Sequence, residues 1–144
     1  MTNSATRTYP TISATDIPEN DIVSAESRDL EAQRFLPLTL VEFHILAALS
    51  DQSRHGYGIM QEVEARSDGK LKIGAGTLYG ALKRMLAEEL VYEDDDTSDA
   101  ATAERRRCYG LTPLGLAVVR ADSLRLAKLV QYARSKALLK PRVV

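Results

Sequence analysis

Between residues 74 and 91, apolar and polar positions separate cleanly on a 3.6-residue period. Leu78, Ala81, Leu82, Met85 and Leu86 fall on one face, and Gly76, Thr77, Gly80, Lys83, Arg84 and Ala87 fall opposite. The pattern predicts a short amphipathic helix whose outward face carries two cations, a hydroxyl and almost no bulk. A large partner can approach the backbone of such a helix before it meets side chains. Gly74 and Gly76 stand at its start, where glycine costs stability unless the backbone must bend or be approached. The exposed amides of a helix start also favour phosphate. Tyr79 falls on the flank, where the ring can be buried and the hydroxyl left to donate a hydrogen bond.

The same reading places elements on either side. Thr39 followed by Glu42 is a capping box, so a helix starts at Leu40 and carries Val41, Ile45, Leu46 and Leu49 inward. After a polar connection, a second helix runs from about residue 56 to 67, with Tyr57, Met60 and Val63 along one side. Ser67, Asp68 and Gly69 stop it. Residues 70–73 alternate charged and aliphatic side chains and predict a very short strand. Residues 90–93 and 106–111 read as two further strands joined by a polar loop, a hairpin wing beside the amphipathic helix. Thr112-Pro113 is a helix-start signal. The helix it opens, residues 114–140, repeats Leu116, Val119, Ser123, Leu126, Val130, Ala133 and Ala137 at alternating spacings of three and four, a heptad seam. Roughly 25 residues of helix span on the order of 37 Å, more than a small domain covers, so the excess packs against a second copy.

Ahead of these elements, residues 1–34 are rich in Thr, Ser, Asp and Glu and are interrupted by Pro10 and Pro18. They read as a poorly ordered arm, helical in part over 24–34, with order beginning near Phe35. With 144 residues, 44% of them hydrophobic, the chain supports one small domain with tails. The net charge of -1 gives no global basic signature. The arm, however, holds 3 of the 19 basic and 6 of the 20 acidic residues, which leaves 16 basic against 14 acidic beyond it. The folded part is therefore net positive by 2.

One cysteine, Cys108, excludes an internal disulfide framework, and no Cys/His cluster has zinc spacing. No metal or cofactor is expected. No nucleophile, base and orienting group recur at usable spacing, so an enzyme is not expected either. A redox role for Cys108 beside arginines is weaker than simple packing. Without a long apolar run or a signal-peptide core, the expectation is a cytoplasmic protein with no membrane partner.

Four motifs in order carry a resemblance. They are Phe35-Leu36-Pro37-Leu38-Thr39; His55-Gly56-Tyr57-Gly58-Ile59-Met60; Gly76-Thr77-Leu78-Tyr79-Gly80-Ala81-Leu82-Lys83-Arg84-Met85; and Arg105-Arg106-Arg107-Cys108-Tyr109-Gly110-Leu111-Thr112-Pro113-Leu114-Gly115. Together they resemble the PadR family of bacterial winged-helix transcriptional regulators, over about residues 35–139. The resemblance implies a dimeric DNA-binding repressor with the central helix in the major groove, a hairpin wing beside it and a C-terminal helix forming the dimer. Some members of that family respond to phenolic acids or drug-like cations at the dimer interface. Here, with no tryptophan and 6% aromatic residues, an aromatic-lined pocket is hard to build, and no effector is supported. Where the family commonly has glycine before the wing, this chain has Glu89. A left-handed turn there costs roughly 1 kcal/mol, or shifts by a residue.

The resulting expectation is a mainly α fold with a small β-hairpin (α+β): a winged helix-turn-helix with a long C-terminal dimerisation helix. Its parts are the arm (1–34), the DNA-binding domain (35–112) and the dimerisation helix (113–140). The expected partners are double-stranded DNA, read at a palindromic operator, and a second copy of the chain. Tyr57, Gly76, Thr77, Tyr79, Gly80, Lys83 and Arg84, with Arg105, Arg106 and Arg107 from the wing, form the expected DNA-facing set. The dimer seam is the heptad series from Leu116 to Ala137. A winged-helix module that binds another protein is the competing expectation; near-neutral charge favours it and the cationic helix face opposes it.

Overall fold

Thr39 opens a helix as its spacing from Glu42 requires: its hydroxyl accepts from the Glu42 amide at 3.1 Å, and the Glu42 carboxylate accepts from the Thr39 amide at 2.9 Å. The computed structural model describes residues 22–95 and 107–140. In chain order the elements are α1 (Ile22–Ala32), a 3₁₀ turn (Gln33–Phe35), α2 (Leu40–Ala48), β1 (Arg54–His55), α3 (Gly56–Arg66), α4 (Ala75–Ala87), β2 (Val91–Asp95), β3 (Arg107–Leu111) and α5 (Pro113–Ser135). The strands form one antiparallel sheet in the order β1-β3-β2, with Val91 opposite Leu111 and Arg54 opposite Tyr109.

The core lies where α2, α3, α4 and the start of α5 meet. Ile45, Leu46 and Leu49 come from the α2 side, Ile59 and Val63 from α3, Leu78, Leu82 and Met85 from α4, and Val118 from α5; all are fully buried. Each such side chain contributes about 1.5–3 kcal/mol of transfer free energy. The inward face of α4 matches its sequence periodicity, with Leu86 packed at the edge.

Several expectations are corrected. The expected start of order near Phe35 is too late: α1 (Ile22–Ala32) is already helical ahead of it and packs along α5, and Ala32 is completely buried. Residues 70–73 form no strand. The Ser67 hydroxyl accepts from the Leu71 amide at 2.9 Å, Ile73 turns into the core, and the third strand is Arg54–His55 instead. The buried side of α3 runs through Gly56, Ile59 and Val63, whereas Tyr57 points out and is 67% exposed.

The last helix ends at Ser135, five residues short of the expected end at 140. Ala137 takes φ 59°, and the amides of Ala137 and Leu138 turn back onto the carbonyls of Arg134 and Ala133. Ala137 therefore lies outside the helix and cannot continue a seam. Leu116 and Val119, the first two seam positions, are buried in the domain's own core. Heptad spacing cannot separate an intrachain contact from an interchain one, because both need the same stripe. Of the remaining positions, Leu126 and Ala133 are half-buried and Ser123 and Val130 exposed. Beside them Leu124, Leu129 and Tyr132 present apolar surface on the same half of the helix.

The corner before α5 is tightly built. The Thr112 hydroxyl donates to the carbonyls of Glu89 and Leu90, at 2.6 and 3.1 Å, and accepts from the Gly115 amide at 3.0 Å. Gly115 lies so close to the Leu90 carbonyl that a Cβ there would overlap it. Glycine is required at 115 for that approach.

Candidate nucleic-acid interface

The bare side of α4 is exposed from end to end. Its N-cap is Gly74, which has no side chain to satisfy the first amides, and Gly76, Thr77, Gly80, Lys83 and Ala87 all face solvent. A Cβ added at Gly74, Gly76 or Gly80 would meet nothing within 4 Å. These glycines are thus not demanded by packing inside the domain. What they do is lower the profile of the helix, so that its amides and the reach of Thr77 and Lys83 define the surface.

Tyr79 holds the flank as the periodicity indicates, 41% exposed. Its hydroxyl end is not left in open solvent but lies against Gly56 at the first turn of α3, in a gap that exists only because residue 56 lacks a Cβ. Tyr57, next in the chain, projects outward from the same turn. The start of α3 thus meets the Tyr79 flank of α4 at Gly56, and Tyr57, Thr77 and the low-profile glycines of α4 are all exposed.

The two cations of α4 differ. Lys83 makes no ion pair among the described residues. Arg84, 62% exposed at its side chain, points back toward the start of α2, with Nη2 3.9 Å from Glu42 Oε2 and Nη1 3.4 Å from the Gly80 carbonyl. Glu42 is visible in the sequence only as a capping residue; its pairing across 42 positions has no local signal.

At the wing, Arg107 pairs with Glu93 across the β2–β3 ladder, Nη1 to Oε2 at 3.2 Å. Part of its charge is spent within the sheet, and the outer strand β2 carries Glu93 and Asp94. Arg105 and Arg106 lie outside the described residues. Tyr109, buried on the middle strand, has its phenol pushed up to about 12, first by burial and then by the Glu93 carboxylate.

The end of α4 answers the question raised by Glu89. Glu89 adopts φ 62°, its amide reaches the Leu86 carbonyl, and the Leu90 amide reaches that of Met85. The left-handed turn is retained at this position without glycine, and the chain leaves it directly into β2. Among the described residues no cluster of His, Cys, Asp or Glu could hold a metal ion, and no helix is long and apolar enough to cross a membrane.

Residues 45–121 match the family model of the transcriptional regulator PadR-like family. A protein encoded in a transposon of Streptomyces fradiae is 35% identical over 85 residues, which cover 59% of this chain and 22% of that one. A protein of Lysinibacillus sphaericus is 30% identical over 73 residues, covering 51% of this chain and 65% of that one. The chain thus spans less than two thirds of either relative. Among solved structures, a PadR family transcription regulator from Clostridium difficile superimposes with a TM-score of 0.57 at 21% identity, covering 69% of this chain and 99% of its own.

Proposed function

The chain belongs to the PadR-like family of transcriptional regulators, a family of DNA-binding proteins rather than enzymes, and from that premise we propose that it is a homodimeric repressor reading a palindromic operator. The observation that carries the reading is the outward side of α4, where Gly76 and Gly80 leave the backbone open and Thr77 and Lys83 stand clear of the protein. An exposed helix of this profile fits a major groove, which admits a helix and offers a distinct pattern of donors and acceptors for each base pair. Lys83 and Arg84 would contact bases or phosphates, Thr77 and the tyrosines Tyr57 and Tyr79 phosphates, and Arg105, Arg106 and Arg107 the backbone beside the wing. The domain division follows, with residues 35–112 reading DNA and residues 113–140 joining two copies. Leu126, Val130 and Ala133, together with exposed Leu124, Leu129 and Tyr132, supply the apolar surface for that pairing. The protein would act in the cytoplasm, where the genome is.

Selection of bound fragments from a random DNA pool with the full chain tests this. An inverted repeat should be enriched, with half-sites about one helical turn apart or a multiple of it. A single half-site would remove the symmetric dimer, and no enrichment would remove sequence reading altogether. A reporter downstream of the enriched site should fall in output; a rise would make the protein an activator. A winged-helix module that binds another protein is the second reading. The acidic outer strand β2 favours it, and it expects no enriched sequence.

A further inference from the structure

We infer that Glu42 restrains Arg84 in the free protein, and that operator binding releases this arginine to a phosphate. One carboxylate on α2 would thereby limit how much of the reading helix's charge is available to DNA. The inference rests on the reading of α4 as the DNA-facing helix.

The two oxygens of Glu42 have separate tasks. Oε1 accepts from the Thr39 amide at 2.9 Å and closes the cap of α2, while Oε2 faces the Arg84 guanidinium at 3.9 Å. The second tie on Arg84, to the Gly80 carbonyl, is also long at 3.4 Å. Neither is a short, buried, bidentate contact that would lock the side chain, and the Arg84 side chain is mostly exposed. A pair of this kind is weak and screened by salt. A guanidinium fork matches a phosphate in two-point geometry. Phosphate therefore competes with Glu42 for the same cation. Lys83, one residue earlier, has no such competitor among the described residues, so the two neighbouring cations enter binding from different starting states.

Glu42→Gln isolates the effect, because glutamine at this position still caps α2 through its carbonyl oxygen while the charge facing Arg84 is removed. Affinity for a site selected with the parent chain is measured at several salt concentrations for the parent, Glu42→Gln, Arg84→Ala and the double variant, with the melting transition followed for each. Glu42→Gln should bind up to about fivefold more tightly per half-site. Arg84→Ala should bind more weakly, with the slope of log affinity against log salt smaller by about 0.9 per subunit. The gain from Glu42→Gln should vanish in the Arg84→Ala background. Weaker binding by Glu42→Gln at unchanged melting would overturn the inference, since the pair would then be a brace that helps α4 bind. An equal gain with and without Arg84 would also overturn it, because the carboxylate would act only through its general field. If the parent binds no sequence selectively, the DNA reading fails and takes the inference with it; a parent that binds while Glu42→Gln changes nothing sinks the inference alone.

Discussion

The hydroxyl end of Tyr79 on α4 rests against Gly56 on α3, in space that a Cβ at residue 56 would occupy. This contact joins the two helices on the side proposed to face DNA. Because the overlapping atoms belong to the far end of a part-exposed side chain, Gly56→Ala should displace the tyrosine rather than disrupt the core. The expected result is a change in unfolding free energy of about 1 kcal/mol or less, with a larger loss of DNA affinity. Urea unfolding and operator titration of the same variant check it. A loss of several kcal/mol would mean that the ring cannot move aside.

At the end of α4, Glu89 holds a left-handed conformation that glycine adopts without steric cost. Glu89→Gly should therefore stabilise the domain by about 0.5–1 kcal/mol, while Glu89→Ala, which keeps the Cβ, should not. Thermal melting of the pair decides between relief of strain and loss of the side chain.

Tyr109 gives a prediction in alkali. Its phenol is raised in the folded state from an ordinary value of 10 to about 12, so between those values the folded state holds the proton more tightly than the unfolded chain. Stability is fully present below pH 10, falls as pH rises from there toward 12, and the decline should be reduced in Tyr109→Phe. Denaturant midpoints across that range measure it; identical declines would mean that other groups govern alkaline unfolding.

On α5, Val130 and Tyr132 are exposed apolar side chains that take no part in the core. Val130→Asp together with Tyr132→Asp should give a folded monomer by sedimentation, with helical content retained. A dimer that survives both charges would place the interface elsewhere.

What was legible in the sequence was local. Thr39 with Glu42, and Thr112 with Pro113, name helix starts because a cap and its amide are three residues apart and need no tertiary context. The face of α4 was legible because thirteen residues give the period room to repeat. The third strand was not, since Arg54–His55 is only two residues long and is defined by pairing with β3, more than fifty residues onward. Alternation at residues 70–73 was a false signal: it served to bury Ile73 on the way into α4. The pairing of Arg84 with Glu42 was likewise hidden, because helical periodicity assigns a face and not the neighbour that the face meets.

The Thr112 hydroxyl, shared among Glu89, Leu90 and Gly115, makes the end of α4, the root of the wing and the first turn of α5 a single stiff corner. With Gly115 seated on the Leu90 carbonyl as well, little slack remains there to absorb a tilt. In a dimer of the proposed kind, α5 would then work as a crank. Turning one copy against the other at the far end of that helix would swing both reading helices and alter their phase along the duplex. The distance between half-sites that such a protein accepts would be set by how two copies of α5 cross, far from any base.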